Sequence, residues 1–277
     1  MSINGASSAD AEKSGGAGQS QPLVRMRGIV KSFGAVRALR GAHLDLGHRE
    51  VLGLVGDNAA GKSTLMKVLT GVHKPDEGEI YFDGEQVHFH SPQDSRALGI
   101  EMIYQNLALA QNLDVVANVF LGREYRRPIV PGLIHWLDEA KMERETRSLL
   151  DRLRINIASV RTNVERMSGG QQQAVAIARA VAFRARVVIM DEPTASLAVK
   201  EVGKVLDLIG QLRESGVSVI LISHRLQDVF NVCDRVMVLR SGERISERVI
   251  KETTMDETVK YIVGAEAGDL SAIVSGR

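Results

Sequence analysis

An α/β fold on a parallel sheet, interrupted by a mostly helical insertion, is what the sequence predicts, and three observations carry the prediction. Two uninterrupted apolar runs, at residues 187–190 and 217–222, have the length and β-branched content of strands buried on both faces, and each follows a helix-like segment. A glycine-bearing stretch, Gly56-Asp57-Asn58-Ala59-Ala60-Gly61-Lys62-Ser63-Thr64, lies between a strand pattern and a helix pattern. Between about residues 106 and 166 strand signals fade and helical spacing takes over.

The elements follow in order. Residues 1–21 are rich in Gly, Ser and Ala, so they cannot bury enough surface to offset chain entropy and are expected to form a disordered tail. They also lack the basic start and continuous apolar core of a secretory signal. Residues 23–30 read as a strand, and 50–55 as a second, buried one that ends in glycine. A helix over 61–69 follows directly, then a short strand at 79–82 before the Asp83-Gly84 turn. Residues 137–155 carry apolar side chains at helical spacing among charges. Ser168 is a good N-cap, and Ala174, Ile177, Ala178, Val181 and Ala182 share one face of the helix after it. Residues 236–239 and 244–246 read as a closing hairpin across Ser241-Gly242. No internal repeat is visible. The expected organisation is a tail at 1–21, one domain at 22–263 with a helical subdomain at about 106–166, and a second tail at 264–277.

Composition narrows the function. The 277 residues are 44% hydrophobic and 25% charged, which suits a globular domain with a substantial core. Thirty-five Lys and Arg against 34 Asp and Glu leave a net charge of +1, which argues against broad electrostatic binding to nucleic acid. No stretch approaches the roughly 18 consecutive apolar residues of a spanning helix, so the chain is not expected to cross a bilayer. The lone Cys233 cannot form an internal disulfide, fits a reducing cytosol and reads as a buried structural thiol. The seven histidines show no His-x-x-x-His pair, and no metal site made of protein ligands alone is apparent.

The glycine-bearing stretch matches G-x-x-x-x-G-K-[ST]. Backbone N–H groups of such a loop curl around phosphate oxygens while the following helix points its positive end at them. Lys62 adds a mobile charge near the terminal phosphates, and Ser63 offers a hydroxyl to Mg²⁺. A glycine-rich turn without a ligand would need neither the strand before it nor the helix after it. Residues 187–190 then place Asp191 at the C-terminal edge of a central strand, where a carboxylate can hold Mg²⁺. Glu192 beside it can orient or deprotonate an attacking water.

With these residues in place, the sequence resembles the ATP-binding-cassette (ABC) ATPases over nearly everything from residue 23 to about 263. The deciding stretch is Met167-Ser168-Gly169-Gly170-Gln171-Gln172, which is similar to the family signature and stands shortly before the strand bearing Asp191. The resemblance implies a P-loop NTPase core with an antiparallel β subdomain and an inserted α-helical subdomain. It implies ATP and Mg²⁺, and a homodimer in which Ser168, Gly169, Gly170 and Gln171 of one chain face the nucleotide of the other. By the same resemblance Gln105 senses Mg²⁺ and the attacking water, His224 contacts the γ-phosphate, and Phe33 stacks on adenine.

Finer resemblance points to importers of monosaccharides, the single-cassette fructose type above all. It rests on Ile103-Tyr104-Gln105-Asn106-Leu107-Ala108-Leu109, on Asn112-Leu113-Asp114-Val115-Val116-Ala117-Asn118-Val119-Phe120-Leu121-Gly122-Arg123-Glu124, and on Glu192-Pro193-Thr194-Ala195-Ser196-Leu197. It implies a peripheral protein at the cytoplasmic face of the membrane, coupled to separate permease subunits and, through them, to a periplasmic sugar-binding protein. A soluble ABC ATPase acting on nucleic acid or ribosomes would share every nucleotide residue, but the near-neutral charge, single cassette and importer-like insertion stand against it. A phosphate-loop kinase would leave His224 and the helix capped by Ser168, whose N-terminus is a second anion-binding end, unexplained. Three positions depart from the family. Ala59 replaces a glycine, which would cost about 1 kcal/mol if the backbone there is left-handed. Met167 replaces leucine, a volume-conserving change. Ala198 replaces an aspartate and puts cross-dimer communication in question.

Overall fold

The computed structural model describes residues 21–130 and 134–264. All of the two expected tails except Gln21 and Gly264 lies outside these residues. The chain opens with β1 (Val24–Phe33), β2 (Val36–Leu46) and β3 (Val51–Val55), then α1 (Lys62–Leu69), β4 (Glu77–Phe82), β5 (Glu85–Val87), α2 (Pro92–Ala97) and β6 (Ile100–Ile103). The middle holds α3 (Val115–Phe120), β7 (Arg126–Val130), β8 (Ile134–Leu137) and α4 (Glu139–Arg152). The chain continues through α5 (Gly169–Val181), β9 (Val187–Asp191), α6 (Val199–Glu214), β10 (Ser218–Ile222) and α7 (Leu226–Val232). It closes with β11 (Arg235–Arg240), β12 (Glu243–Val249) and α8 (Met255–Val263).

The predicted α/β fold is present. Six strands form the main sheet in the order β12-β11-β3-β10-β9-β6, parallel except for β12. A four-stranded antiparallel sheet, β2-β1-β4-β5, packs beside it. Strand alternation divides the interior in two. On β3, Leu52 and Leu54 join the core shared with the antiparallel sheet and α1, while Val51 and Val55 face the core shared with α3, α4, α5 and α6. The same split runs through β9, where Val187 and Ile189 oppose Val188 and Met190. This two-sided burial is why these strands read as continuous apolar runs. Cys233 is buried under Gly53, and burial pushes its thiol up, as befits an inert structural residue.

Several elements go beyond the sequence reading. The long strand β2 is absent from it, as are β5, β6 and α2. The segment expected to be mostly helical also contains the β7–β8 hairpin. The hairpin expected across Ser241-Gly242 forms as β11–β12, with both turn residues at positive φ, 50° and 82°. No helix among the described residues is long and apolar enough to cross a membrane.

One buried side chain governs how the chain leaves β6 for α3. Asn118, with no exposed surface, accepts from the Ala110 amide (2.8 Å) and donates to the carbonyls of Ala110 (3.0 Å), Leu113 (3.2 Å) and Asp114 (3.0 Å). The Arg179 guanidinium of α5 clamps the same loop through the carbonyls of Leu107 (2.7 Å) and Ala108 (2.8 Å). Asn118→Ala leaves these buried backbone groups without partners, so urea denaturation should show a loss of about 2–3 kcal/mol.

Candidate active site

Because β3, β10, β9 and β6 run parallel, their C-terminal ends meet at one edge of the sheet. The residues that follow them are the phosphate loop after β3, His224 after β10, Glu192 after β9 and Gln105 after β6. Sequence separations of over a hundred residues collapse at this edge. It opens on a cavity of about 640 Å³ whose wall includes Asn58 to Thr64, Gln105, Asp191 and Glu192.

The loop shape is dictated by crowding. Gly56 has φ 150°, and a Cβ there would lie 2.0 Å from the Leu239 carbonyl oxygen. At Gly61, with φ 101°, a Cβ would lie 2.8 Å from the Ala38 carbonyl oxygen. The β11–β12 turn holds the loop from outside: the Gly242 amide donates to Ala60 O (3.0 Å), and the Arg40 amide donates to Gly242 O (2.9 Å). No side chain caps the N-terminus of α1, and its first turn carries no acid, so its amide end faces the cavity uncompensated. Ala59 has φ 68°, so the residue that departs from the family does sit in the left-handed region.

The charges around the cavity are partly buried and only partly matched. Lys62 Nζ donates to the carbonyls of Gly56 (2.7 Å) and Asp57 (2.9 Å). Burial lowers its pKa, opposed by Glu192, Asp191 and Asp57. Burial raises Asp191, opposed by Lys62 and Lys67. Glu192 is also raised, first by burial, with His224 opposing and Asp191 adding to the rise. Its carboxylate, 16% exposed, lies 2.7 Å from Nδ1 of the 65%-exposed His224, which as Nδ1–H is the donor. Glu192 is held at φ 51° by its amide, which donates to Ile222 O (2.9 Å). Behind it the buried Thr194 hydroxyl donates to the buried Asp228 carboxylate (2.6 Å), fixing the loop between β9 and α6.

Donor chemistry fits Mg²⁺: a hydroxyl at Ser63, a carboxylate at Asp191 and an amide oxygen at Gln105 line one cavity, few and all hard oxygens. A carboxylate that burial leaves short of compensation, as Asp191 is, gains most from a cation.

Of the residues expected at the site, the phosphate loop, Gln105, Asp191, Glu192 and His224 come together. Phe33 does not line the cavity: it is 44% exposed at the end of β1, edge-on to His73 at 5.1 Å, and across the strand pair from Val36, which does. Ser168, Gly170 and Gln171 open on a different cleft, which shares no lining residue with the phosphate-loop cavity. Arg37, Arg40 and Ser241 line the cavity without having been expected there. Recognising β2 as a strand would have placed the two arginines.

Comparison with known proteins extends this geometry. The family described as ABC transporter matches residues 39–195. Over 249 residues the chain is 44% identical to the xylose/arabinose import ATP-binding protein XylG of Sulfolobus acidocaldarius, covering 90% of this chain and 97% of the relative. Over 259 residues it is 45% identical to the fructose import ATP-binding protein FrcA of Rhizobium meliloti, covering 92% and 99%. A crystal structure of an ATP-binding cassette of an ABC transporter, in its ADP conformation, superposes with a TM-score of 0.76 at 28% identity, covering 89% of this chain and all of the other.

Two outcomes test the site physically. Ala59→Gly relieves a left-handed alanine and should raise the stability of the nucleotide-free protein by up to about 1 kcal/mol in denaturant titrations. A carboxyl raised on folding binds its proton more readily in the folded chain, so ionised Glu192 costs stability at neutral pH, and the cost fades as the pH falls towards the ordinary 4.5. Glu192→Gln should therefore melt at higher temperature than the wild type near pH 7, with the gap closing as melts are repeated towards pH 4.5.

Proposed function

The chain belongs to the ABC transporter family, and from that premise we propose that it is the ATP-hydrolysing subunit of an importer of monosaccharides. It works as a homodimer docked on separate membrane permease subunits at the cytoplasmic face, fed from outside by a sugar-binding protein. The observation that carries the hydrolytic reading is the Glu192–His224 pair, 2.7 Å apart at the mouth of the phosphate cavity. The sugar reading rests on similarity along nearly the whole chain to xylose/arabinose and fructose import proteins.

The residues divide the work as follows. The amides of residues 56–61 and the uncapped end of α1 bind the phosphates of ATP, and Lys62 exchanges its two loop carbonyls for phosphate oxygens. Ser63, Asp191 and Gln105 would hold Mg²⁺, which supplies charge neutralisation at the β- and γ-phosphates. Glu192 takes a proton from the attacking water, and its raised pKa makes it a stronger base than an exposed carboxylate. His224 orients that carboxylate through Nδ1–H and turns its exposed ring edge to the γ-phosphate. The Ser168–Gln171 end of α5 closes the partner's site, so only a nucleotide with a γ-phosphate bridges both chains. The β6–α3 loop carrying Gln105 joins the core to the insertion, and through it closure reaches the permease.

A steady-state ATPase assay with a sizing experiment tests this. Glu192→Gln should lose about a hundredfold or more in turnover yet form an ATP-dependent dimer, whereas Lys62→Ala should lose nucleotide binding itself. Hydrolysis by Glu192→Gln at a near-normal rate would remove Glu192 from its role. Affinity capture of the tagged protein from membranes should bring down the permease.

A further inference from the structure

The phosphate cavity has an acidic flank and a basic one. In the order β12-β11-β3-β10-β9-β6, the phosphate loop leaves the sheet at β3. Asp191, Glu192 and Gln105 reach the cavity from the ends of β9 and β6, on one side of that loop. The other side is formed by β2 and the Ser241-Gly242 corner, joined where the Arg40 amide donates to Gly242 O (2.9 Å). There Arg37 and Arg40 line the cavity. On a regular strand, residues three apart face opposite ways. In the β1–β2 pair, however, Leu39 stands opposite Lys31 and Arg37 opposite Ser32, so Ala38 is an extra residue, a β-bulge. The bulge brings Arg37 and Arg40 to one face, opposite Ser32 and Val30. It is wedged against the loop and the corner: the Ala38 carbonyl oxygen would lie 2.8 Å from a Cβ on Gly61 and 2.7 Å from one on Gly242. The neighbouring cations on β1 are matched, Arg25 and Arg27 by Asp45 (3.3 and 2.9 Å) and Lys31 by Asp76 (2.7 Å). Arg37 and Arg40 are exposed and have no carboxylate partner among the described residues.

We propose that Arg37 and Arg40 are nucleotide-binding residues that hold the α-phosphate, the one joined to the nucleoside. The inference rests on the ATP reading above, in which the hydrolysed end of the triphosphate meets Glu192. A triphosphate that lies along the loop with its γ-phosphate at the acidic flank runs its other end towards β2. A guanidinium suits that end, because its paired N–H donors match phosphate oxygens. The α-phosphate is present before and after hydrolysis, so this contact grips ATP and ADP alike. Discrimination between the two is left to the acidic flank, and the bulge at Ala38 is the device that sets both arginines on the cavity.

The test titrates Arg37→Gln, Arg40→Gln and the double variant with ADP and with a non-hydrolysable ATP analogue. An exposed ionic contact is worth about a fivefold change in affinity, so each single variant should bind about fivefold more weakly and the double about twenty-five-fold. The loss should be equal for the two nucleotides and should shrink as salt is raised. Lysine at both positions keeps the charge without the paired donors and should recover only part of the affinity. Should the double variant melt early, the single ones decide. Unchanged affinity in variants of normal melting temperature overturns the proposal, and so does a loss confined to the ATP analogue, which would put the arginines at the γ-phosphate. Complete recovery by lysine would reduce them to a background field and overturn the contact. Failure of the wild type to bind either nucleotide would instead remove the ATP reading, and this inference with it.

Discussion

Parallel pairing of β11, β3, β10, β9 and β6 is the constraint on which the site depends, because it brings the C-terminal ends of the strands to one edge. Crossovers between parallel strands must span the sheet, so each strand end launches a new segment, and each segment begins with a residue of the cavity. The antiparallel β12 then turns back and sets the Ser241-Gly242 corner against the phosphate loop. Gly56 and Gly61 are forced by that corner and by β2, since a side chain at either would enter the Leu239 or Ala38 backbone. The loop is therefore shaped by the sheet before any phosphate arrives.

Preorganisation of this kind has an electrostatic cost. Asp191 and Glu192 are both raised by burial, and Lys62 is lowered by it, so all three are less content in the folded chain than in water. Their attractions for one another offset part of this without removing it. A polyanion with its divalent cation would complete the set: phosphate oxygens for Lys62 and the α1 amides, a cation for Asp191. The site stores binding capacity as incomplete charge compensation, which is how a fold trades stability for function.

The same physics sets what could be read from the sequence. The apolar runs at 187–190 and 217–222 were legible because burial on both faces leaves no polar interruption, and the phosphate loop because its spacing is imposed by backbone geometry. Less visible was β2, which Gly41 interrupts at φ 89° and whose pairing with β1 shifts register three times. With it went the placement of Arg37 and Arg40. The β7–β8 hairpin carries Pro128 and adjacent arginines, a poor strand signal, and β6 is only four residues long. Phe33 could be placed at a strand end, but its packing on His73 depends on the α1–β4 connection, which no local pattern reveals.

The contrast between the two helix ends completes the logic. The amide end of α1 carries no side-chain cap, while that of α5 carries the Ser168–Gln171 capping box. An uncapped end held by its own sheet binds anions without rearrangement and suits the half of a site that must grip nucleotide throughout a cycle. An end already served by its own capping box has fewer amides left to offer. Arg179, about three turns along α5, holds the carbonyls just beyond Gln105, so α5 is tied to the loop that enters the insertion. One helix thus links the Ser168–Gln171 end to the place where the core meets the insertion.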